Sequence, residues 1–268
     1  MTTTFKRLRN IAVGTALVLS SAGAFAAPGP FTVDPSAYST VTAPFSADLM
    51  NGSSSAQIVQ DAGTFNYTGT GYIQYTSFTS GSEALSAKTT GLNYDYGLYA
   101  TFTQHFACNA MLGVGTSCSV TSISLNLFAD VGDNAKFTAS STTKAATVTN
   151  TAGDVLLGSV DEVIAGTAGV DILGGAFQNI NTNFTLTSAG SAFFVAPTPF
   201  YSFAYSVFNN TSQGLTCSPS CAGGITVLAI NSETGATDFN AVPEPMPLAL
   251  MGLGMLGMVA FRRKQAKK

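Results

Sequence analysis

Residues 31–241 run through strand-like segments and turns, with no proline between Pro44 and Pro197, and this most limits what the chain can fold into. Proline cannot donate to a sheet ladder, so its absence leaves room for long paired strands. Ser122-Ile123-Ser124-Leu125-Asn126-Leu127-Phe128-Ala129 alternates cleanly, which puts Ile123, Leu125 and Leu127 on one strand face. Gly71-Tyr72-Ile73-Gln74-Tyr75-Thr76-Ser77-Phe78 is aromatic and β-branched, and residues 97–106 repeat that character. Further strands are expected near residues 136–139, 155–160, 183–187, 192–195, 201–208 and 225–231. Asn51-Gly52, Gly113-Val114-Gly115, Asp130 to Asn134 and Asn209-Asn210 punctuate them as turns. The Gly-rich stretch 166–175 reads as a flexible turn, and residues 235–242 as a short linker. No middle segment keeps a helical period with caps. The expectation is an all-β chain with a single β-sandwich or jelly-roll-like domain over residues 27–241. A β-helix is the second choice, because no fixed repeat period is present.

The two ends read as addresses. Lys6, Arg7 and Arg9 precede an apolar run over residues 11–20, and Ala24-Phe25-Ala26 supplies small residues for cleavage. Residues 1–26 are therefore expected to be a signal peptide helix handled by the secretion machinery and signal peptidase, with Ala27 starting the mature chain. Pro28 and Pro30 follow at once and argue against a buried helix there. Near the other end Pro243, Glu244 and Pro245 precede sixteen uncharged residues, 246–261, and then Arg262, Arg263 and Lys264. Sixteen helical residues reach about 24 Å, short of a hydrocarbon core of about 30 Å but sufficient with snorkelling arginines. Positive charge flanks both apolar segments, so the precursor is expected to be an inner-membrane hairpin with its middle exported.

The order Pro243-Glu244-Pro245, apolar helix, Arg262-Arg263-Lys264 resembles the sorting signal of the PEP-CTERM proteins of Gram-negative bacteria. The resemblance covers residues 242–268. It implies that an exosortase, a membrane-embedded cysteine peptidase, recognises the tail and removes it near the Pro-Glu-Pro. The product would then belong to the cell surface or the exopolysaccharide matrix. Phe31-Thr32-Val33-Asp34-Pro35 and the run from Gly91 to Ala100 resemble the flocculation-associated subgroup, whose members are linked to floc formation.

Charge narrows the function. Residues 27–242 hold only Lys88, Lys136 and Lys144 against 13 Asp and Glu, so no basic patch can displace counterions from nucleic acid. The same stretch carries 16 charges in 216 residues, a sparsely charged surface suited to glycan contact or self-association. With no Trp, stacking against sugar rings would fall to Tyr72, Tyr75, Tyr94, Tyr96 and Tyr99, the candidate glycan contacts. The four cysteines are expected to form disulfides in an exported chain. Proximity favours Cys108–Cys118 and Cys217–Cys221 among three pairings, over a zinc site using His105.

Catalysis finds little support. His105 is the one His, in a strand-like run beside Cys108, and no nucleophile elbow or metalloprotease motif is present. Asp130 and Asp133, or Asp161 and Glu162, are the carboxylate pairs a glycosidase would need, yet neighbours in a strand point to opposite faces. Asp130-Val131-Gly132-Asp133-Asn134 also offers oxygens to Ca²⁺, but it lacks the alternating acids and closing Glu of an EF-hand. The sequence thus points to a non-enzymatic surface or matrix protein without cofactor, supporting exopolysaccharide-associated floc or biofilm formation. A secreted polysaccharide-modifying enzyme using Asp133 or Asp161 is the alternative.

Overall fold

Long proline-free runs become long strands. A computed structural model describes residues 29–209 and 215–240, and these form one unit within residues 28–241. The strands in chain order are β1 (Phe31–Val33), β2 (Phe45–Ala47), β3 (Leu49–Gln60), β4 (Asn66–Ser80), β5 (Glu83–Ala84) and β6 (Tyr96–Cys108). They continue with β7 (Ser117–Val131), β8 (Lys136–Thr138), β9 (Thr147–Thr149), β10 (Val155–Val160), β11 (Val163–Val170) and β12 (Ala176–Asn183). The remainder are β13 (Thr185–Leu186), β14 (Phe194–Ala196), β15 (Phe203–Asn209), β16 (Leu215–Ser218) and β17 (Val227–Asn240). Short helices span Ala87–Thr90 and Ser188–Phe193.

The all-β expectation holds, but the connectivity is a closed barrel rather than a two-sheet sandwich or jelly roll. Eight strands follow one another antiparallel in the order β11-β12-β15-β17-β3-β4-β6-β7, and β7 pairs back onto β11. Ser117–Ser119 of β7 meet Thr167–Gly169 at this seam, while the other half of β7 pairs with β10. The Gly-rich run read as a turn over residues 166–175 does turn at 171–175, but its first half, 166–170, belongs to this closing strand, and its glycines explain how. A Cβ on Gly169 would fall 2.1 Å from the Thr116 carbonyl oxygen, so only glycine permits so close a seam. The expected linker is corrected too. Residues 235–240 lie inside β17, all paired with β15 on one side and 235–237 also with β3 on the other.

Alternate residues of each strand face the lumen, among them Ile58 of β3, Ile73 of β4, Phe106 of β6 and Leu127 of β7. One end is plugged by the small β14-β1-β2 sheet and an aromatic cluster in which the Phe239 ring lies 4.8 Å from Phe184 and 5.3 Å from Phe31. Both ends of the described chain emerge here: the Tyr201 hydroxyl donates to the Pro30 carbonyl at 3.0 Å, and Asn240 pairs with Phe203. We call this the tether pole. The opposite latch pole is shut by loops. Tyr67 Oη accepts from Leu112 N at 2.8 Å and donates to Ile225 O at 2.9 Å, and Ile225 N donates to Leu112 O.

The disulfides Cys108–Cys118 and Cys217–Cys221 both form. Cys108 and Cys118 face each other across the last β6–β7 rung, closing the loop that carries Leu112. Replacing both by serine is expected to lower the unfolding free energy by about 2–3 kcal/mol. Urea titration of the oxidised wild type against the double variant measures this directly.

The expected signal peptide and C-terminal transmembrane helix lie outside the described residues, as do Ala24, Ala26, Ala27 and the Pro243–Lys264 motif. Among the described residues no helix is long and apolar enough to cross a membrane.

Candidate functional site

The lumen encloses a cavity of about 70 Å³ lined largely by aliphatic and aromatic side chains. Its polar groups are few. The Ser54 hydroxyl on β3 donates to Glu233 Oε2 on β17 at 2.8 Å. Gln104 on β6 reaches across the ring and donates through Nε2 to Gln178 Oε1 on β12 at 3.0 Å. Tyr75 Oη, Thr237 Oγ1 and Ser206 Oγ form a separate hydroxyl chain.

Glu233 is the one charged residue lining the lumen among the described residues, and it is only 7 % exposed. Burial pushes its carboxyl up to about 7, against the opposing pull of the Ser54 hydrogen bond. Gln104 is 3 % exposed, and its Oε1 has no hydrogen-bond partner. Buried polar atoms are ordinarily satisfied, so this acceptor marks a place where the interior is built for more than packing. Burial likewise raises Tyr75 to about 12, with Thr237 opposing. Asp238, on the outer face of β17, is raised to about 6 by burial, against its bond from Asn240.

Sequence reasoning missed Glu233 because Ile230-Asn231-Ser232-Glu233 looks like a polar turn. A bulge between Asn231 and Glu233, with Ser232 at φ 58°, advances the register by one residue. Without it, the alternation from Leu228 and Ile230 would have turned Glu233 outward.

The expected tyrosine surface is not one surface. Tyr94 is 78 % exposed, but Tyr72, Tyr75, Tyr96 and Tyr99 are buried. Tyr75 points into the lumen, and Tyr96 donates to Thr90 O while packing edge-on to Phe193. Tyr72 and Tyr99 lie on the outer face, covered by the β8–β9 hairpin through Phe137, at ring distances of 5.1 and 5.6 Å. Ser140 fastens that hairpin to the barrel, its hydroxyl donating to Ala56 O at 2.8 Å. Tyr99 also donates to Asp154 Oδ2 at 2.6 Å, and its own burial, with Asp154 adding, pushes its phenol well above the ordinary value. Four of the five rings therefore have no open face for a sugar.

Two of the four candidate carboxylates, Asp130 and Asp161, are engaged in turns. Asp130 accepts from Asn134 N and Ala135 N, which shapes an Asx-type turn. Asp133 sits beside it, its carboxyl raised first by burial and then by the Asp130 charge. Asn183 anchors the turn at Asp161 and Glu162, its Oδ1 accepting from both backbone N–H groups and its amide donating to Asp161. Among the described residues, no three His, Cys, Asp or Glu are grouped to hold a metal. His105 is exposed on the outer face, bonded through Nδ1 to Thr68 Oγ1 at 3.0 Å, and the cysteines beside it are in a disulfide.

Residues 241–264, which begin directly after β17, match the family model of the PEP-CTERM protein-sorting motif. The chain thus carries a PEP-CTERM protein-sorting motif, which indicates an exported protein sorted by an exosortase. None of the curated proteins and none of the solved structures matches it.

Proposed function

We propose that this is a non-enzymatic module of the cell surface or exopolysaccharide matrix, delivered by exosortase processing and supporting floc or biofilm formation. The observation that carries this reading is where the sorting motif begins: residue 241 directly follows the last barrel strand. Cutting near Pro243 to Pro245 would leave every barrel strand intact, so the product of processing is a whole folded domain. A sparse surface charge suits contact with glycan or with other copies of the chain. The flocculation-associated subgroup remains the resemblance that names the setting.

The test compares exosortase-positive and exosortase-deficient cells by intact mass and fractionation. The expected product starts near Ala27, lacks residues 246–261, and reaches the matrix only when the peptidase is present. Deleting the gene should reduce floc formation, and restoring the wild type should recover it. An uncut tail in the inner membrane of both strains, or unchanged flocs, would overturn the proposal. So would turnover of the native matrix polysaccharide that is lost on changing Asp133 or Asp161 in a folded protein.

A further inference from the structure

Gln104, Gln178 and Glu233 occupy one level of the barrel. The Gln104–Gln178 bond already spans the ring between β6 and β12. The ladder rung through Gln104 continues to Gly69, Ile58 and Leu228. With strands tilted by about 40°, those three steps climb about 9 Å toward the latch pole. From Leu228 to Glu233 is about four strand steps once the bulge is discounted, which descends about 10 Å along the axis. Glu233 therefore returns to the height of Gln104.

The chemistry of this level is lopsided. It holds a carboxylate whose one hydrogen bond comes from Ser54, and an amide oxygen with no partner. Among the described residues no Lys, Arg or His lines the lumen to balance the carboxylate. The walls are aromatic and aliphatic, with Phe106 and Phe208 among them. An amide oxygen with no partner, one negative charge and aromatic rings in the walls together describe a receptor for a compact cation that carries N–H donors. A divalent metal would demand more oxygen ligands than one carboxylate and one amide. The cavity of about 70 Å³ limits the guest to a few heavy atoms.

We propose that the barrel lumen binds a small protonated amine of ammonium or methylammonium size, with the Glu233 carboxylate as counter-charge and the Gln104 carbonyl as second acceptor. The guest donates to both oxygens, and its methyl or open face lies against the rings. Binding strengthens as Glu233 ionises, because among the described residues lining the lumen its carboxylate is the one charge that can answer the cation.

The experiment uses the processed protein purified from its own cells, equilibrated at about pH 8 in sodium, ammonium, methylammonium or tetramethylammonium chloride at one ionic strength. Thermal unfolding midpoints are expected to rise in ammonium and methylammonium relative to sodium, by mass action on the folded state. Tetramethylammonium, which has no N–H and is larger than the cavity, is expected to match sodium. Glu233→Gln should abolish the rise. Gln104→Leu should weaken the apparent affinity on the order of ten- to a hundredfold. If Glu233→Gln does not fold, Gln104→Leu and the loss of the rise at about pH 5 carry the test. Equal midpoints in all four salts would overturn the proposal, as would a rise that persists unchanged in the variants. Crystals grown in methylammonium that show only ordered water at this level would overturn it as well.

Discussion

In sodium buffer at about pH 8, Glu233→Gln unfolds at a higher denaturant concentration than the wild type, whereas at about pH 5 the two nearly coincide. The cause is a carboxyl whose folded-state pKa is raised from 4.5 to about 7 by burial. A raised acid pKa means that the folded chain holds the proton more tightly than the unfolded one. Stability is then greatest below the unfolded value and declines as pH climbs through the folded one. A shift of that size corresponds to about 3 kcal/mol between the two ends of the window, less whatever local rearrangement relieves. Glutamine keeps an acceptor for the Ser54 hydroxyl and carries no charge, so the decline should largely vanish. Asp238, raised to about 6 with burial as the main cause, adds a smaller slope of the same sign over a lower window. Chemical denaturation of both proteins at a series of pH values decides the matter. Parallel curves would mean that Glu233 reaches water in solution.

Phe239→Ala is expected to cost about 3–5 kcal/mol, the range for removing a buried Phe from a packed core. Phe239 is 1 % exposed, and its ring packs within 5.5 Å of Phe31, Phe184, Phe194 and Phe200. No single neighbour can fill the space, because each ring is itself held by others in the cluster, as Phe194 is by Phe193 and Phe31. The loss should show as a lower urea midpoint with little change in slope. Phe65, which is 49 % exposed at the latch pole, serves as the control, and its alanine variant should lie within about 0.5 kcal/mol of the wild type.

Local chemistry was legible where one rule dominates. The alternation over residues 122–129 became the middle of β7, and residues 155–160 are β10 as expected. The cysteine pairs followed from sequence separation alone. Ring closure was not legible, because it depends on which distant strands meet. β11 is rich in Ala and Gly where the usual strand signal asks for β-branched and aromatic residues. What selects it is the space beside Thr116, a property of the seam. The tyrosines misled for a related reason. Tyr72 and Tyr75 are three residues apart on β4, so one faces out and the other in, and the outward one is then roofed by a hairpin some 65 residues later. Proximity in sequence said nothing about a shared surface.

The position of β17 also decides how the domain would carry load. Its final residue, Asn240, adjoins the sorting motif, and the strand runs through the wall with seven partners on β15 and ten on β3. Sheet hydrogen bonds lie across the strand direction, so tension drawn along β17 from the tether pole must shear both ladders together instead of unzipping them bond by bond. A force entering at Phe31 would meet only the three-residue β1, with two paired residues on β14 and three on β2 to hold it. The barrel is therefore mechanically polarised: strong when pulled from its carboxyl end, weak when pulled from its amino end.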